Sequence, residues 1–434
     1  MPKVAFYTLG CKVNQYESDA MAELFKERGY DVVDFETAAD VYVINTCSVT
    51  NESARKSRQM IRKASRINPY AKVAVVGCYA QLRSEEISQI PGVDVVIGTK
   101  DRRHIVDLVE DAVKRQEQIV RVQDIMGERT FEEIAFKGLR QKTRAFLKIQ
   151  EGCNMFCSYC IIPYARGPVR SRPMESIIKE AQELAAEGFK EVVLTGIHLG
   201  LYGHDLGGKG IHLLEVIRRI SQIDGIKRIR LSSIEALELT EEFVEELALM
   251  EKFCHHFHIP LQSGCDSVLK RMNRRYTAAQ FRERVECIRE KMPDVSVTTD
   301  VIVGFPGETQ EEFEKTFDFI RDTGFYRLHV FPFSPMEGTP AAKMPKPVKK
   351  SIKEERSRRL INLSQDLEKD FRQKFLGQTV EVLFEQETDM GTYEGLTGNY
   401  MKVEASARKN IHNKLLPVIL RENASDHLIG EILC

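Results

Sequence analysis

Ten short runs with few polar interruptions set the pattern of this chain, and they constrain its fold more than any other feature. Four of them, KVAFYTLG, VYVINT, KVAVVG and VDVVIG, come early. Six more begin near residue 144: RAFLKIQE, EVVLTGIHLG, KRIRLSS, FHIPLQSG, VSVTTDVIVGFPG and YRLHVFPFSP. Near-continuous apolar runs suit strands covered on both faces, the condition of a parallel sheet. Helical patterns such as ESDAMAELFKERG, MESIIKEAQELAAEG and AAQFRERVECIREKM lie between them, the first ending on Gly29 as a C-cap. The alternation predicts an α/β protein. An open parallel α/β domain is expected over 1–115 and six βα units, a partial or closed barrel, over 141–370. A linker with one or two edge strands is expected over 116–140.

The segment 343–360, KMPKPVKKSIKEERSRRL, holds eight basic and two acidic residues. The helix after it places Leu360, Leu363, Leu367 and Phe371 on one face. From 371 to 434, QTVEVLFEQ, TYEGLTGNYMKVEAS and HLIGEIL alternate with glycine turns, which predicts a small β-barrel. The 434 residues suffice for about three domains of roughly 150 residues. The net charge of -1 means that any nucleic-acid surface is a local basic patch. No apolar run approaches the ~18 residues of a membrane span, and the N-terminus carries no signal-peptide pattern. The expected location is the cytoplasm, where thiols stay reduced.

Clustered cysteines there read as metal ligands or catalytic groups. Cys153, Cys157 and Cys160 have the spacing CxxxCxxC and follow the first strand of the βα series. Loops after strands form the active face of βα barrels, and Gly152 allows a tight turn into this one. Three thiolates on one loop suit a 4Fe–4S cluster with one iron left open. Zinc is the competing reading, but no fourth ligand stands nearby at zinc spacing.

This motif in this place resembles the radical S-adenosylmethionine (SAM) superfamily. The resemblance implies a partial (βα)6 barrel, SAM chelated at the open iron, one electron from the cluster cleaving the sulfonium to release a 5′-deoxyadenosyl radical, and a low-potential donor that reduces the cluster. It also implies SAM contacts at later strand ends. These are Gly196 in TGIHLG, Ser233 after the third strand, Gln262 in PLQSG, and Asp300 and Gly304 in TTDVIVGFPGET. A glycine at a strand end is also a common turn requirement. Tyr159, between two of the cysteines, either shields the adenosyl group or packs.

Cys11, Cys47 and Cys78 are far apart in sequence, but each directly follows an apolar run of the first domain. In an open parallel sheet such strand ends line one edge, where ligands bind. Buried core cysteines are the alternative. The shared position points to a second three-cysteine cluster with an open iron. Two such clusters, a radical SAM core and a terminal barrel like the TRAM module resemble the methylthiotransferase family over nearly the whole chain. The resemblance implies replacement of an unactivated C–H by C–S–CH₃, with a second SAM as methyl donor. An aromatic C–H offers no proton that a tuned side chain removes, so the hard chemistry belongs to cofactors.

TLGCKVNQYES, INTCSVTNESARKSRQ, YARGPVRSR and RLSSIE resemble the branch acting on N6-threonylcarbamoyladenosine, the tRNA adenosine just 3′ of the anticodon. The implied partner is the anticodon stem-loop of tRNA. The branches acting on isopentenyladenosine (YGCQMN) and on a ribosomal-protein aspartate (SLGCPKN) match less well, although PYARG begins like the former's PYTRG. A zinc-stapled RNA-binding protein is the reading from another class.

Phosphate affinity comes mainly from Lys and Arg. The tail from 371 has seven of these against nine Asp and Glu, so the basic segment 343–360 is the better candidate. Arg166, Arg170 and Arg172 beside the cluster loop are further candidates, with internal ion pairs as the alternative. Cys254, Cys265, Cys287 and Cys434 show no ligand spacing and are expected in the core or on the surface. His255, His256 and His258 look metal-like, but they adjoin a buried strand whose alternation puts His256 and His258 on one face.

Overall fold

The computed structural model describes residues 1–134, 143–207, 212–388 and 391–433. The first domain is a six-stranded, wholly parallel sheet. Its strands are β1 (Lys3–Thr8), β2 (Asp31–Val33), β3 (Val41–Thr46), β4 (Lys72–Gly77), β5 (Val95–Ile97) and β6 (Ile119–Arg121), in the order β2-β1-β3-β4-β5-β6. Every residue of β3 is buried, as a central strand covered on both faces requires. The helix Lys12–Glu27 begins five residues before the expected Glu17. Its cap position is Cys11, whose side chain makes no cap hydrogen bond, so no Ser, Thr or Asp marks its start.

The second domain is built on β7 (Arg144–Lys148), with a small ribbon of β8 (Gln150–Glu151) and β9 (Arg170–Ser171) at its end. Strands β10 (Glu191–Thr195), β11 (Arg228–Leu231), β12 (His256–His258), β13 (Ser296–Val303) and β14 (Arg327–Pro332) follow. All neighbouring pairs are parallel, in two three-stranded arcs joined by single bridges such as Ser233–His258. Among the described residues β7 and β14 do not pair, so the barrel is partial rather than closed. The helix Lys12–Glu27 lies against β7, its Tyr16 and Ala20 sharing a core with Ala145 and Leu147.

The helix Lys350–Gln373 buries Leu360 against the barrel, with Leu363 and Leu367 partly buried beside it. Phe371 packs into the last domain. That domain is a closed barrel of β15 (Thr379–Glu387), β16 (Thr392–Thr397), β17 (Lys402–Ser406), β18 (Leu415–Asn423) and β19 (Leu428–Ile432). Strand β18 went unmarked in the sequence because Pro417 interrupts its apolar run. The barrel caps the strand starts of the second domain. Arg228, first in β11, donates to the carbonyls of Leu396 (2.8 Å) and Glu381 (2.7 Å), and Arg230 to that of Gly398 (3.0 Å). No helix among the described residues is long and apolar enough to cross a membrane.

Candidate active site

Three of the six clustered cysteines follow a glycine in the left-handed region: Gly10 (φ 110°), Gly77 (φ 95°) and Gly152 (φ 74°). That conformation turns the chain off the strand end, and other residues avoid it. At Gly152 a Cβ would lie 1.8 Å from the Pro168 carbonyl oxygen. The loop it starts is tied down along its length. The Cys153 amide donates to Gly167 O (3.1 Å), Ser158 N to Met272 O (2.9 Å) and Cys160 N to Cys157 O (3.0 Å). Its sulfurs meet polar partners: Arg274 donates to Cys157 Sγ at 3.5 Å, and His198 Nδ1 lies 3.6 Å from Cys153 Sγ. His198 Nε2 is held by Glu238 at 2.5 Å, and Gly200 leaves room for that carboxylate.

Cys11, Cys47 and Cys78 stand at the ends of β1, β3 and β4, three adjacent strands. A Cβ on Gly10 would sit 3.1 Å from Cys47 Sγ, which shows how closely the first two approach. Arg166 reaches across from the second domain and donates to Cys78 Sγ at 3.2 Å. Burial pushes the Cys78 thiol up to about 12, against the pull of Arg166, and pushes Cys160 up to about 12 as well. All six cysteines are free of disulfides.

Two adjoining cavities connect these loops. One, of about 270 Å³, is walled by Cys153, Cys157, Cys160, Tyr159, Gln262 and Arg274. The other, of about 710 Å³, fills the barrel lumen and takes Cys11, Lys12, Gly196, His256, His329 and Tyr400 into its wall. Ser233, Ile162, Ile197 and Asp300 line both. Asp300 accepts from His329 Nδ1 (3.2 Å) and faces His258 Nε2 (3.3 Å). Burial alone would raise its carboxyl, but the two histidines outweigh burial and hold it below the usual range. Gln262 has φ 64°, a strained conformation of the kind that concentrates at functional sites. Tyr400 enters from the C-terminal barrel, stacks on His256 with ring centroids 4.6 Å apart, and accepts from Arg144 at 3.0 Å.

Comparison with known proteins places this arrangement. The model of the radical SAM superfamily matches residues 147–320, and a model described as uncharacterized protein family UPF0004 matches residues 3–98. The threonylcarbamoyladenosine tRNA methylthiotransferase MtaB of Bacillus subtilis (strain 168) is 47% identical over 423 residues, covering 96% of this chain and 93% of its own. The chain belongs to the radical SAM methylthiotransferases. The MtaB of Aquifex aeolicus is 41% identical, with 96% and 100% covered. The tRNA-2-methylthio-N(6)-dimethylallyladenosine synthase of Pelotomaculum thermopropionicum is 35% identical, with 99% and 97% covered. The methylthiotransferase also shares its fold with the radical SAM methyltransferase TsrM of Kitasatospora setae, solved with cobalamin and a [4Fe-4S] cluster. There the TM-score is 0.58 at 16% identity, over 78% of this chain and 77% of that one.

The cofactors of such an enzyme are SAM and 4Fe–4S clusters. Both cysteine trios of the methylthiotransferase fit iron. Burial keeps thiols such as Cys78 and Cys160 protonated on their own, and a coordinated cation is what makes such thiols thiolates. Two expectations change. Arg166, Arg170 and Arg172 are all buried, not turned to RNA, because Arg166 pairs with Glu17 and Glu151 and Arg172 with Glu180. Gly304 lines neither cavity; it gives Lys353 room to pass, since a Cβ would lie 2.2 Å from Lys353 Cγ. As the strand alternation predicts, His256 and His258 face the lumen and His255 turns away to Asp294 (2.6 Å). Cys254 and Cys265 are buried outside both trios, and Cys434 lies outside the described residues. Lys12, His198, Arg274, His329 and Tyr400 were not singled out. His198 was findable inside TGIHLG, whereas nothing local marks Tyr400.

Proposed function

We propose that this enzyme methylthiolates C2 of N6-threonylcarbamoyladenosine, 3′ of the anticodon in tRNA, giving the 2-methylthio derivative. The observation that carries the reading is the pair of joined cavities, which puts Cys11 of the first trio and all three cysteines of the second on the wall of one connected space. Cys153, Cys157 and Cys160 would hold the cluster that binds SAM, and Cys11, Cys47 and Cys78 a second one on the sulfur side. Bound there, these groups supply hydrogen abstraction, sulfur and methyl. The chain positions and excludes water. Gly196 and Ser233 offer close backbone approach to SAM, Gln262 and Asp300 face the space for its nucleoside, and Tyr159 closes that space from behind. Arg274 and His198 present positive or donor groups to the Cys157 and Cys153 sulfurs.

The RNA would reach the cavity mouth past exposed Lys343, Lys346, Lys349 and Lys350. This segment adjoins the cluster loop through Ala341 N to Ser158 O (2.8 Å). Phe156 and Tyr164, an exposed edge-to-face pair on the same side, suit stacking against unpaired bases. Two experiments test the reading. Total tRNA from a deletion strain should lack the 2-methylthio nucleoside, and wild-type enzyme should restore it where a C11A variant does not. Anaerobic protein should hold about eight irons, falling to about four when Cys153, Cys157 and Cys160 are replaced by alanine. About four irons in the wild type, all lost in that variant, would remove the second cluster and the methylthiolation with it.

A further inference from the structure

Among the described residues, the barrel lumen holds one cation with no partner. Arg144 pairs with Glu385, Arg230 with Glu191 and Arg327 with Glu368, while His258 and His329 share Asp300. Lys12 lines the same cavity, and among the described residues it makes no hydrogen bond or ion pair. Lys12 is half-buried, and an ammonium drawn partly out of water without a counter-charge is unfavourable. The helix Lys12–Glu27 begins at this wall, with Gly10, Cys11, Lys12 and Val13 all lining it, and its uncapped positive end adds to the same field. Two more wall groups lack partners among the described residues. Ser232 Oγ and His256 Nδ1 make no hydrogen bond, though their residues are only 5% and 3% exposed. Unsatisfied buried polar atoms on a cavity wall point to a polar occupant.

We infer that the lumen receives the N6 substituent of the target adenosine and that Lys12 selects a carboxylate there. The inference rests on the substrate reading above and says how that substrate is recognised. A threonylcarbamoyl group carries one carboxylate and one hydroxyl, which match the free ammonium and the unpartnered Ser232 and His256. An isopentenyl group is all hydrocarbon and would leave all three unsatisfied. A site built for polar groups rejects analogues that lack them far better than an apolar site rejects a polar analogue. The lumen, about 710 Å³, lies within the ~300–1,000 Å³ usual for small-molecule sites. Lys12 is then a specificity residue, contributed by the first domain to a pocket in the second.

The test compares three anticodon stem-loop RNAs, carrying N6-threonylcarbamoyladenosine, its methyl ester, or isopentenyladenosine. Binding to anaerobically purified enzyme is read by fluorescence anisotropy for wild type, K12Q and K12R. The readout is the ratio of affinities within each variant, so a general loss of fold or iron beside Cys11 lowers all three together. Wild type should prefer the free acid over the ester by about ten- to a hundredfold, the scale of one charge-assisted hydrogen bond. K12R should keep that ratio and K12Q should bring it near one. A K12Q variant that still prefers the acid overturns the role of Lys12. So does a wild type that prefers the threonylcarbamoyl RNA over the isopentenyl one but not over the ester. A wild type that prefers the isopentenyl RNA overturns the substrate reading itself.

Discussion

Arg166 is the residue whose removal most directly tests how the two cysteine domains are joined. Its guanidinium makes five hydrogen bonds: to Glu17 (2.9 and 3.1 Å), Glu151 (2.7 Å), Asn14 (2.5 Å) and Cys78 Sγ (3.2 Å). Glu17, Asn14 and Cys78 belong to the first domain, and Glu151 leads into the loop of Cys153. The surrounding network is balanced, with Arg102, Lys148 and Arg166 against Glu17, Glu151 and Glu132. Arg166→Met keeps most of the volume and leaves a net negative charge among buried groups. Breaking a buried pair from one side costs about 3–5 kcal/mol. At roughly 2–4 °C per kcal/mol for a large domain, melting should fall by about 6–20 °C. The double variant Glu17→Gln/Arg166→Met restores the balance and should recover part of that loss, because it removes the uncompensated charge. Differential scanning calorimetry of the anaerobic enzyme reads both. A melting temperature within about 2 °C of wild type for R166M, or a double variant less stable than the single, would refute the electrostatic account of this junction.

The same network sets an acid limit. Burial alone would raise Glu151, but Arg166, Lys148 and Arg102 outweigh it and hold the carboxyl at about 2, and Glu17 is held low for the same reason. With folded values below the ordinary 4.5, their stabilisation is full above pH 4.5 and is lost as pH falls towards 2; circular dichroism against pH should show unfolding concentrated there. Gly152→Ala places a Cβ 1.8 Å from a backbone oxygen at φ 74°, so the Cys153 loop should fail to close and about half the iron should be lost. Tyr400→Ala removes the ring stacked on His256 and covering Arg230 (4.4 Å to the ring centroid). It should destabilise by about 3–5 kcal/mol in a urea melt, whereas Tyr400→Phe should cost about 1.5–3 kcal/mol, the charge-assisted hydrogen bond from Arg144.

What the sequence revealed and concealed follows from the range of the physics involved. Strands such as β3 and β4 were legible because burial on both faces leaves an apolar run that needs no partner to be recognised. The edge strand β6 falls inside the linker where edge strands were expected, but the short edge β2 was not legible, since three largely exposed residues carry no such pattern. The convergence of Cys11, Cys47 and Cys78 was legible by topology, because parallel strands must end along one edge. The inward turn of Arg166 was not. Its partner Glu17 is 149 positions away, and nothing near Arg166 distinguishes a phosphate contact from an internal ion pair.

The lumen shows the same limit most clearly, and it bears on what the terminal barrel is for. The tail carries more acid than base, which makes it a poor electrostatic partner for RNA. Yet it makes specific contacts with the catalytic domain. Backbone carbonyls of Glu381, Leu396, Thr397 and Gly398 accept from Arg228 and Arg230, and Ser296 donates to Asn399 O. Those contacts hold the turn at Tyr400, itself at φ 70°, against the bottom of the lumen. With Lys12 entering from the first domain, the reaction chamber is walled by all three domains, and neither flanking domain can be removed without opening it.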